Sequence, residues 1–454
     1  MRKKLLILFA ALFMAVCLLP SVGLLLGYEE ENYENRPLAR LPKLFDREGI
    51  NLEYPQGFDD YYQDHFGFRE EMVTAFHRGT VSALKDTLND DVIIGSNDML
   101  YFAETLDDYL GINTLSDYDI QRAARTLKIQ QDYVAASGAK FAFAIAPNKN
   151  TIYPEYMPKR LKPTGAFSNR ERLAAALMSL EVEQISFDFE LMARKGEDML
   201  YHYHDTHWNQ RGAMIGYNAI MAKVFEDTEY QTYEGMTPVT RPGWAGDLHY
   251  FLFPASEGNM DYPYYGIDFA YDTDPQAPGR TTTIGTTSKA NHRSLLLYRD
   301  SFGDGLMPYL SANLGRVLYD AEFPYNYASM AAESPDAVVI ELVERNIPNL
   351  ILKAPAMPAL SAPFEGEGER VSFAVTEYER NGARVVCGKF DAADYDPMKH
   401  RILLTDGETC FEAFPIMDER AEGLLLDAEA IEGFTVTLPE NHAASGELEL
   451  VLEG

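Results

Sequence analysis

The feature that most restricts the fold is an alternation of short apolar runs with amphipathic segments between residues 100 and 352. Residues 141–146 form a continuous apolar run that Pro147 ends, as expected of a strand covered on both faces. Ahead of it, Ile120, Ala124, Leu127 and Val134 recur at near-helical spacing. Ser116 and Asp119 have a capping-box pattern, and Gly138 is placed to stop the helix. A helix is predicted over residues 169–180 and a strand over 185–189. Ala213, Tyr217, Ile220, Met221 and Val224 keep one face of a further helix that starts near Asn209. Strands are predicted at 295–298, 316–319 and 337–342, with a helix near 304–313. This βα rhythm predicts an α/β fold: a doubly wound, mostly parallel sheet with helices on both faces. Residues 228–292, rich in Tyr, Gly, Pro and Thr, break the rhythm and read as a long excursion near the site.

The flanks read differently. Val371, Phe373 and Val375 alternate with polar or small neighbours, as do Phe434, Val436 and Leu438, and Leu448, Leu450 and Leu452. Asp406-Gly407 between two strand-like runs is a hairpin signal. Residues 365–454 are therefore expected to be a small all-β domain, a sandwich or jelly roll and a candidate glycan-binding module. At the other end, Arg2, Lys3 and Lys4 precede a charge-free, mostly apolar run over residues 5–26. That run is long enough to cross a hydrocarbon core of about 30 Å. Residues 1–27 are expected to be a signal anchor, a transmembrane helix with its basic flank in the cytoplasm. A cleaved signal peptide ending near Ser21-Val22-Gly23, with a secreted product, is the alternative. Cys17 follows Val16 and does not fit a lipoprotein site. Either way the body lies outside the cytoplasm. Residues 28–100 are Pro- and charge-rich at first, then predict a helix around 58–88 and a short strand and turn at Asp90-Asp91-Val92-Ile93-Ile94-Gly95. They read as a helical lead segment packed on the central domain at 101–360.

A formal net charge of −31 makes nucleic acid a poor partner, because phosphate contacts need clustered Lys and Arg. Cys387 and Cys410 are too few for a disulfide framework, which leaves one bridge or two free buried thiols.

Two stretches carry the chemistry: His204-Asp205-Thr206-His207-Trp208 and Tyr298-Arg299-Asp300-Ser301-Phe302-Gly303. Acyl chemistry through a nucleophile needs a hydroxyl, a base and a group that orients the base. Ser301 would stand at the C-terminal end of a buried strand, where the ligand crevice of a parallel sheet forms, its own N–H and those of the next turn facing an oxyanion. The bland reading of Ser301 is a helix N-cap. Asp205 and His207 share one side if the backbone is extended, so the carboxylate can fix the imidazole tautomer, with Trp208 shielding the pair from water. A metal reading competes: His202, His204, Asp205 and His207 could hold zinc. Their spacing is similar to the His-x-His-x-Asp-His of metallo-β-lactamases, with the aspartate one place early. Asn148 and Lys149 after one strand, and Arg345 and Asn346 after another, are candidates to line the same crevice. Trp244, Tyr250 and Phe251 could stack on sugar rings.

The two stretches, extended to Asn209-Gln210-Arg211-Gly212-Ala213, resemble the AlgX/AlgJ-like and DHHW families of SGNH-hydrolase-like proteins. The resemblance extends to Glu34-Asn35-Arg36-Pro37-Leu38, Asp64-His65-Phe66-Gly67-Phe68-Arg69 and the run from Pro147 through Asn150, Tyr153 and Glu155. It implies an SGNH-like catalytic domain, with Ser301 as nucleophile, His207 as base and Asp205 as orienter. It further implies transfer of an acetyl group to hydroxyls of a cell-envelope or exported polysaccharide. A membrane-bound O-acyltransferase would be the donor partner, and no cofactor or metal is expected. Arg299, where a glycine often precedes the Asp-Ser pair, is a further substrate-binding candidate beside Trp208. The order, with Asp-x-His before Ser, fits the permuted arrangement of the AlgX/AlgJ branch. An esterase with the same triad, an inactive glycan-binding scaffold and a zinc hydrolase are the alternatives.

Overall fold

The central alternation is built as one seven-stranded sheet. A computed structural model describes residues 2–26, 38–46, 49–112, 114–258, 260–274, 282–439 and 447–454. The strands are β1 (Lys140–Ala146), β2 (Gln184–Ile185), β3 (Asp272–Asp274), β4 (Thr283–Thr287), β5 (Ser294–Tyr298), β6 (Arg316–Asp320) and β7 (Ala337–Val343), in the order β2-β1-β7-β5-β6-β4-β3. The first five are parallel; β4 and β3 close one edge antiparallel. Strand residues alternate between two cores. Ala142, Ala144, Leu295, Leu297 and Val339 face one; Phe141, Phe143, Leu296, Val338 and Ile340 face the other. This is why the runs are apolar throughout: each side chain enters a core, at about 1.5–3 kcal/mol for a fully buried Leu or Phe.

The helices used below are α1 (Arg2–Leu25), α2 (Tyr54–His65), α3 (Arg69–Leu84), α4 (Asp117–Ala136), α5 (Asn169–Ser179), α6 (Gln210–Val224), α7 (Asp247–Leu252) and α8 (Gly303–Asn313). Helices α4 and α5 cover one face of the sheet and α6 and α8 the other, as a doubly wound fold requires. Ser116 caps α4 by accepting from the Asp119 amide at 3.0 Å.

Three expectations change. The strand over 185–189 shrinks to β2, and Phe187–Arg194 is a helix: Phe187 and Leu191, four apart, are buried, while Phe189 is 69% exposed. The helix over 58–88 is two, α2 and α3, broken where Phe68 takes a left-handed φ of 61°. The excursion is not wholly outside the sheet. It forms the antiparallel ribbon Val239–Trp244 with Met260–Tyr264, supplies α7, and returns as edge strands β3 and β4.

Beyond residue 360 the chain is an antiparallel sandwich. Its strands are β8 (Ser361–Pro363), β9 (Glu369–Arg370), β10 (Phe373–Arg380), β11 (Ala383–Asp391), β12 (Arg401–Thr405), β13 (Thr409–Ala413), β14 (Ile431–Thr437) and β15 (Glu449–Glu453). The sheets β10-β11-β14 and β8-β13-β12-β15-β9 share a core of Val386, Phe390, Leu404, Phe411, Phe434 and Leu450. Cys387 and Cys410 are free, buried thiols. Arg122 and Arg125 of α4 donate to Pro415 O and Pro397 O, fastening the sandwich to the central domain. At the N-terminus, Lys3–Leu24 is long and apolar enough to cross a membrane, as a signal anchor or a signal peptide would be. Of the Glu34-to-Leu38 motif, residues 34–37 lie outside the described residues.

Candidate active site

The loop holding Asp205 and His207 is closed at its base. Tyr201 and Trp208 pair as an antiparallel bridge, and the His202 amide donates to His207 O at 3.2 Å. Asn209 then caps α6, its Oδ1 accepting from the amides of Arg211 and Gly212. Inside the loop, Asp205 Oδ1 accepts from the His207 amide at 2.8 Å and from His207 Nδ1 at 2.7 Å. The contact is therefore made by a turn, not by the extended backbone expected: one carboxylate oxygen holds both backbone and ring.

Ser301 stands in the turn between β5 and α8, and its exposed hydroxyl lies 2.8 Å from His207 Nε2. With Nδ1–H donated to the Asp205 carboxylate, Nε2 carries the lone pair and accepts from Ser301 Oγ–H. The turn is tied down from several sides. Asp300 Oδ1 accepts from the Phe302 amide at 3.0 Å, and its Oδ2 accepts from the Val343 amide at 2.7 Å and from Asn346 Nδ2 at 3.3 Å. The Gly303 amide donates to Asp300 O. Two of the amides expected to face an oxyanion, Phe302 and Gly303, are thus already occupied. The Ser301 amide has no partner among the described residues. Below the turn lies Glu341 of β7, fully buried, with Oε2 3.3 Å from the Asp300 amide. Burial, aided by the Asp300 charge, pushes its pKa well up.

The remaining candidates divide. Arg345 faces the site: its guanidinium lies 5.7 Å over the Phe302 ring and 5.6 Å over Phe102, and the Phe302 ring is 4.9 Å from that of His207. Asn346 braces Asp300. Asn148 is 1% exposed; its backbone N–H donates to Glu344 Oε2, and its side-chain amide has no partner among the described residues. Three of the expected substrate contacts are engaged within the protein. Trp208 is 3% exposed, and its Nε1–H donates to Phe302 O at 3.0 Å, making it a strut under the turn. Lys149 is buried and donates to the carbonyls of His202 (2.9 Å) and Tyr203 (3.1 Å), so its ammonium holds the Asp-x-His loop. Arg299 pairs with Asp304 at 2.9 Å. Trp244 stacks on His202 and Phe251 on Phe102.

Sequence reasoning missed Asp247. This first residue of α7 accepts from the Thr206 amide at 2.8 Å and from Thr206 Oγ1 at 2.6 Å, and its Oδ2 lies 3.9 Å from His207 Nδ1. Gly246 lets the excursion approach this closely: a Cβ there would sit 2.2 Å from His204 O and 2.5 Å from Asp205 Cβ. Nothing local marks Asp247 among the 70 acidic residues of the chain.

The electrostatics follow. Burial pushes the Asp205 carboxyl up, but the hydrogen bond and charge of His207 win and hold it down at about 2. Burial likewise opposes the His207 imidazolium; Asp205, with Asp247 adding, outweighs it and raises the pKa, while Arg345 works the other way. Asp247 itself is pushed up by burial and by the Asp205 charge. Burial takes Lys149 down to about 7, with Asp205 and Asp247 holding it from falling further.

The four zinc candidates do not converge. His202 stacks on Trp244 at 4.7 Å between ring centres, and His204 points to Asp98, its Nε2 3.4 Å from Oδ2. The donor atoms that do cluster, within 4.8 Å, belong to Asp205, His207 and Asp247, and the Asp205–His207 pair is already hydrogen-bonded.

Residues 92–302 match the family model described as the SGNH hydrolase-like domain of the acetyltransferase AlgX. No curated protein matches the chain. Similar solved structures include the O-acetyltransferase domain of Pseudomonas putida AlgJ, at 17% identity and a TM-score of 0.40, covering 57% of this chain and 92% of that one. A DHHW family protein from Eubacterium siraeum is 14% identical with a TM-score of 0.44, covering 58% and 94%. Pseudomonas aeruginosa AlgX is 13% identical with a TM-score of 0.37, covering 80% and 90%. The matched segment contains Asp205, His207 and Ser301, and over residues 92–302 this chain is similar to the SGNH hydrolase-like acetyltransferase domain of AlgX.

Proposed function

We propose that the protein is an extracytoplasmic O-acetyltransferase, held at the membrane by α1, that passes an acetyl group through Ser301 to a hydroxyl of a cell-envelope or exported polysaccharide. The observation that carries this reading is the unbroken chain from Ser301 Oγ to His207 Nε2 (2.8 Å) and from His207 Nδ1 to Asp205 Oδ1 (2.7 Å). Ser301 Oγ attacks the acetyl carbonyl carbon and its proton moves to His207 Nε2. The imidazolium, stabilised by Asp205, returns that proton to the leaving group as the acetyl–Ser301 ester forms. A sugar hydroxyl then attacks the ester carbonyl and gives its proton to His207; as the acetyl–Oγ bond breaks, the imidazolium returns that proton to Ser301 Oγ and the acetyl leaves on the sugar. The free Ser301 amide is the oxyanion donor of the turn, and Arg345 supplies positive charge nearby. A membrane-bound O-acyltransferase is the proposed source of acetyl.

Hydrolysis is the second reading, favoured by the solvent exposure of Ser301. The full chain in detergent, given p-nitrophenyl acetate with and without oligosaccharide, separates them. Transfer predicts an acetylated Ser301 peptide by mass spectrometry and acetyl moved to the sugar. Ester turnover indifferent to every sugar would assign the chain to the esterases.

A further inference from the structure

Helix α1 does not stand apart from the body. Its C-terminal end docks on the lead segment at residues 20–23. Ser21 Oγ lies 2.9 Å from Tyr62 Oη, and the Gly67 amide donates to Pro20 O at 3.0 Å. Gly23 and Gly67 cross backbone to backbone: a Cβ on Gly67 would lie 2.3 Å from Gly23 Cα, and one on Gly23 would lie 2.6 Å from Gly67 Cα. The break between α2 and α3 is thus the socket for the helix end. At about 1.5 Å per residue, the 22 residues of Lys3–Leu24 span roughly the thickness of a hydrocarbon core. Residues 20–23 then lie at its outer edge, and whatever docks on them lies at the same level.

The part so placed is unusually apolar on its surface. Leu41, Leu44, Phe45, Ile50, Leu52 and Phe58 are all exposed, Leu52 by 90%. Along α2 and its C-cap, Tyr54, Phe58, Tyr62 and Phe66 stack in sequence with ring centres 6.0, 6.5 and 6.0 Å apart. Aromatic rings with a polar tip and apolar body suit the boundary between headgroups and acyl chains. Scattered single apolar residues would need no explanation, but a contiguous segment does. Arg40 and Lys43 are exposed on it, as are Glu53, Asp59 and Asp60, so its charge is mixed and the attraction is not electrostatic.

We propose that residues 38–46 and 49–65 form an interfacial element lying in the outer boundary of the bilayer that α1 crosses. It holds the central domain at a set height and tilt over the membrane. The proposal rests on α1 being a retained anchor. The test uses the full chain in phosphatidylcholine nanodiscs, with Leu52→Trp, Phe45→Trp and, on α1, Leu12→Trp, each read as emission above that of the native Trp208 and Trp244. Bromines near the headgroup end of the acyl chains should quench most of the added emission of the Leu52 and Phe45 variants, unchanged at high salt. Bromines near the chain ends should quench Leu12→Trp more strongly. Quenching at Leu12→Trp with none at the other two overturns the interfacial element while leaving the anchor, and points the apolar patch at a protein partner. No quenching at any of the three overturns both.

Discussion

The crevice around Ser301 and the C-terminal sandwich accept burial of polar groups on very different terms. Around the crevice, Asn148, Lys149, Asp205, Glu341 and Glu344 are all buried. In the sandwich, the buried polar residues among those described are three threonines, Thr405, Thr435 and Thr437. Its ion pairs, such as Arg384–Glu377 and Arg370–Glu449, lie at the surface. Burying charge is expensive unless each charge is paired or neutralised. A chain able to build a nearly all-apolar core at one end accepts that expense at the other where its buried charges are paired or hydrogen-bonded, as around Ser301. The crevice groups also converge: Lys149 on the loop carbonyls, Asp205 on the ring, Glu341 under the Ser301 turn.

The contrast can be broken outright at Ser301. Ser301→Ala should lower turnover of an activated acetyl ester by at least about 10,000-fold and abolish the acetylated peptide, with the thermal transition unmoved. Residual acetylation of comparable size would send the nucleophile elsewhere. Next, Asp205→Asn should cost about 10,000-fold in turnover, because the amide can leave the imidazole in the wrong tautomer. Phe390→Ala, in the sandwich core, tests the opposite half: about 3–5 kcal/mol of stability lost by denaturant unfolding, with ester turnover kept under native conditions. A parallel loss of activity would mean that the two regions fold as one unit through the Arg122 and Arg125 contacts.

Asp247→Asn sharpens the comparison further. The base must be neutral to act, so activity should rise as pH passes the His207 pKa, which lies above that of an ordinary imidazole. Asp247 helps to hold it there. Removing that negative charge makes the imidazolium less stable and moves the acidic limb of the profile to lower pH. A merely structural Asp247 would change the rate at every pH and leave the limb in place. The smallest effect belongs to Arg384→Ala, which breaks a surface pair at 2.7 and 2.8 Å: under about 1 kcal/mol, with no change in turnover.

Much of this was legible in the residues, for identifiable reasons. The runs at 141–146 and 295–298 announced a sheet covered on both faces, because each of their side chains enters one of two cores. The sequence overstates the strand at Gln184–Ile185 because Phe187 and Leu191 are apolar at a spacing that a short window shares between strand and helix. Lys149 and Trp208 read as facing substrate because sequence shows residue type and not direction; both turn inward, onto the Asp205–His207 loop and the Ser301 turn.

By itself the sequence determined the α/β rhythm, the apolar N-terminal span, the separate β domain and the residues able to form a triad, because those follow from periodicity and local chemistry. Tertiary structure decided the rest. It brought His207 to Ser301 across 94 residues, recruited Asp247 from an excursion with no motif of its own, and seated α1 on a glycine crossing. Contacts of this kind depend on where a loop closes and how near two backbones can approach. No residue encodes that alone, since it arises from the packing of all the elements between them.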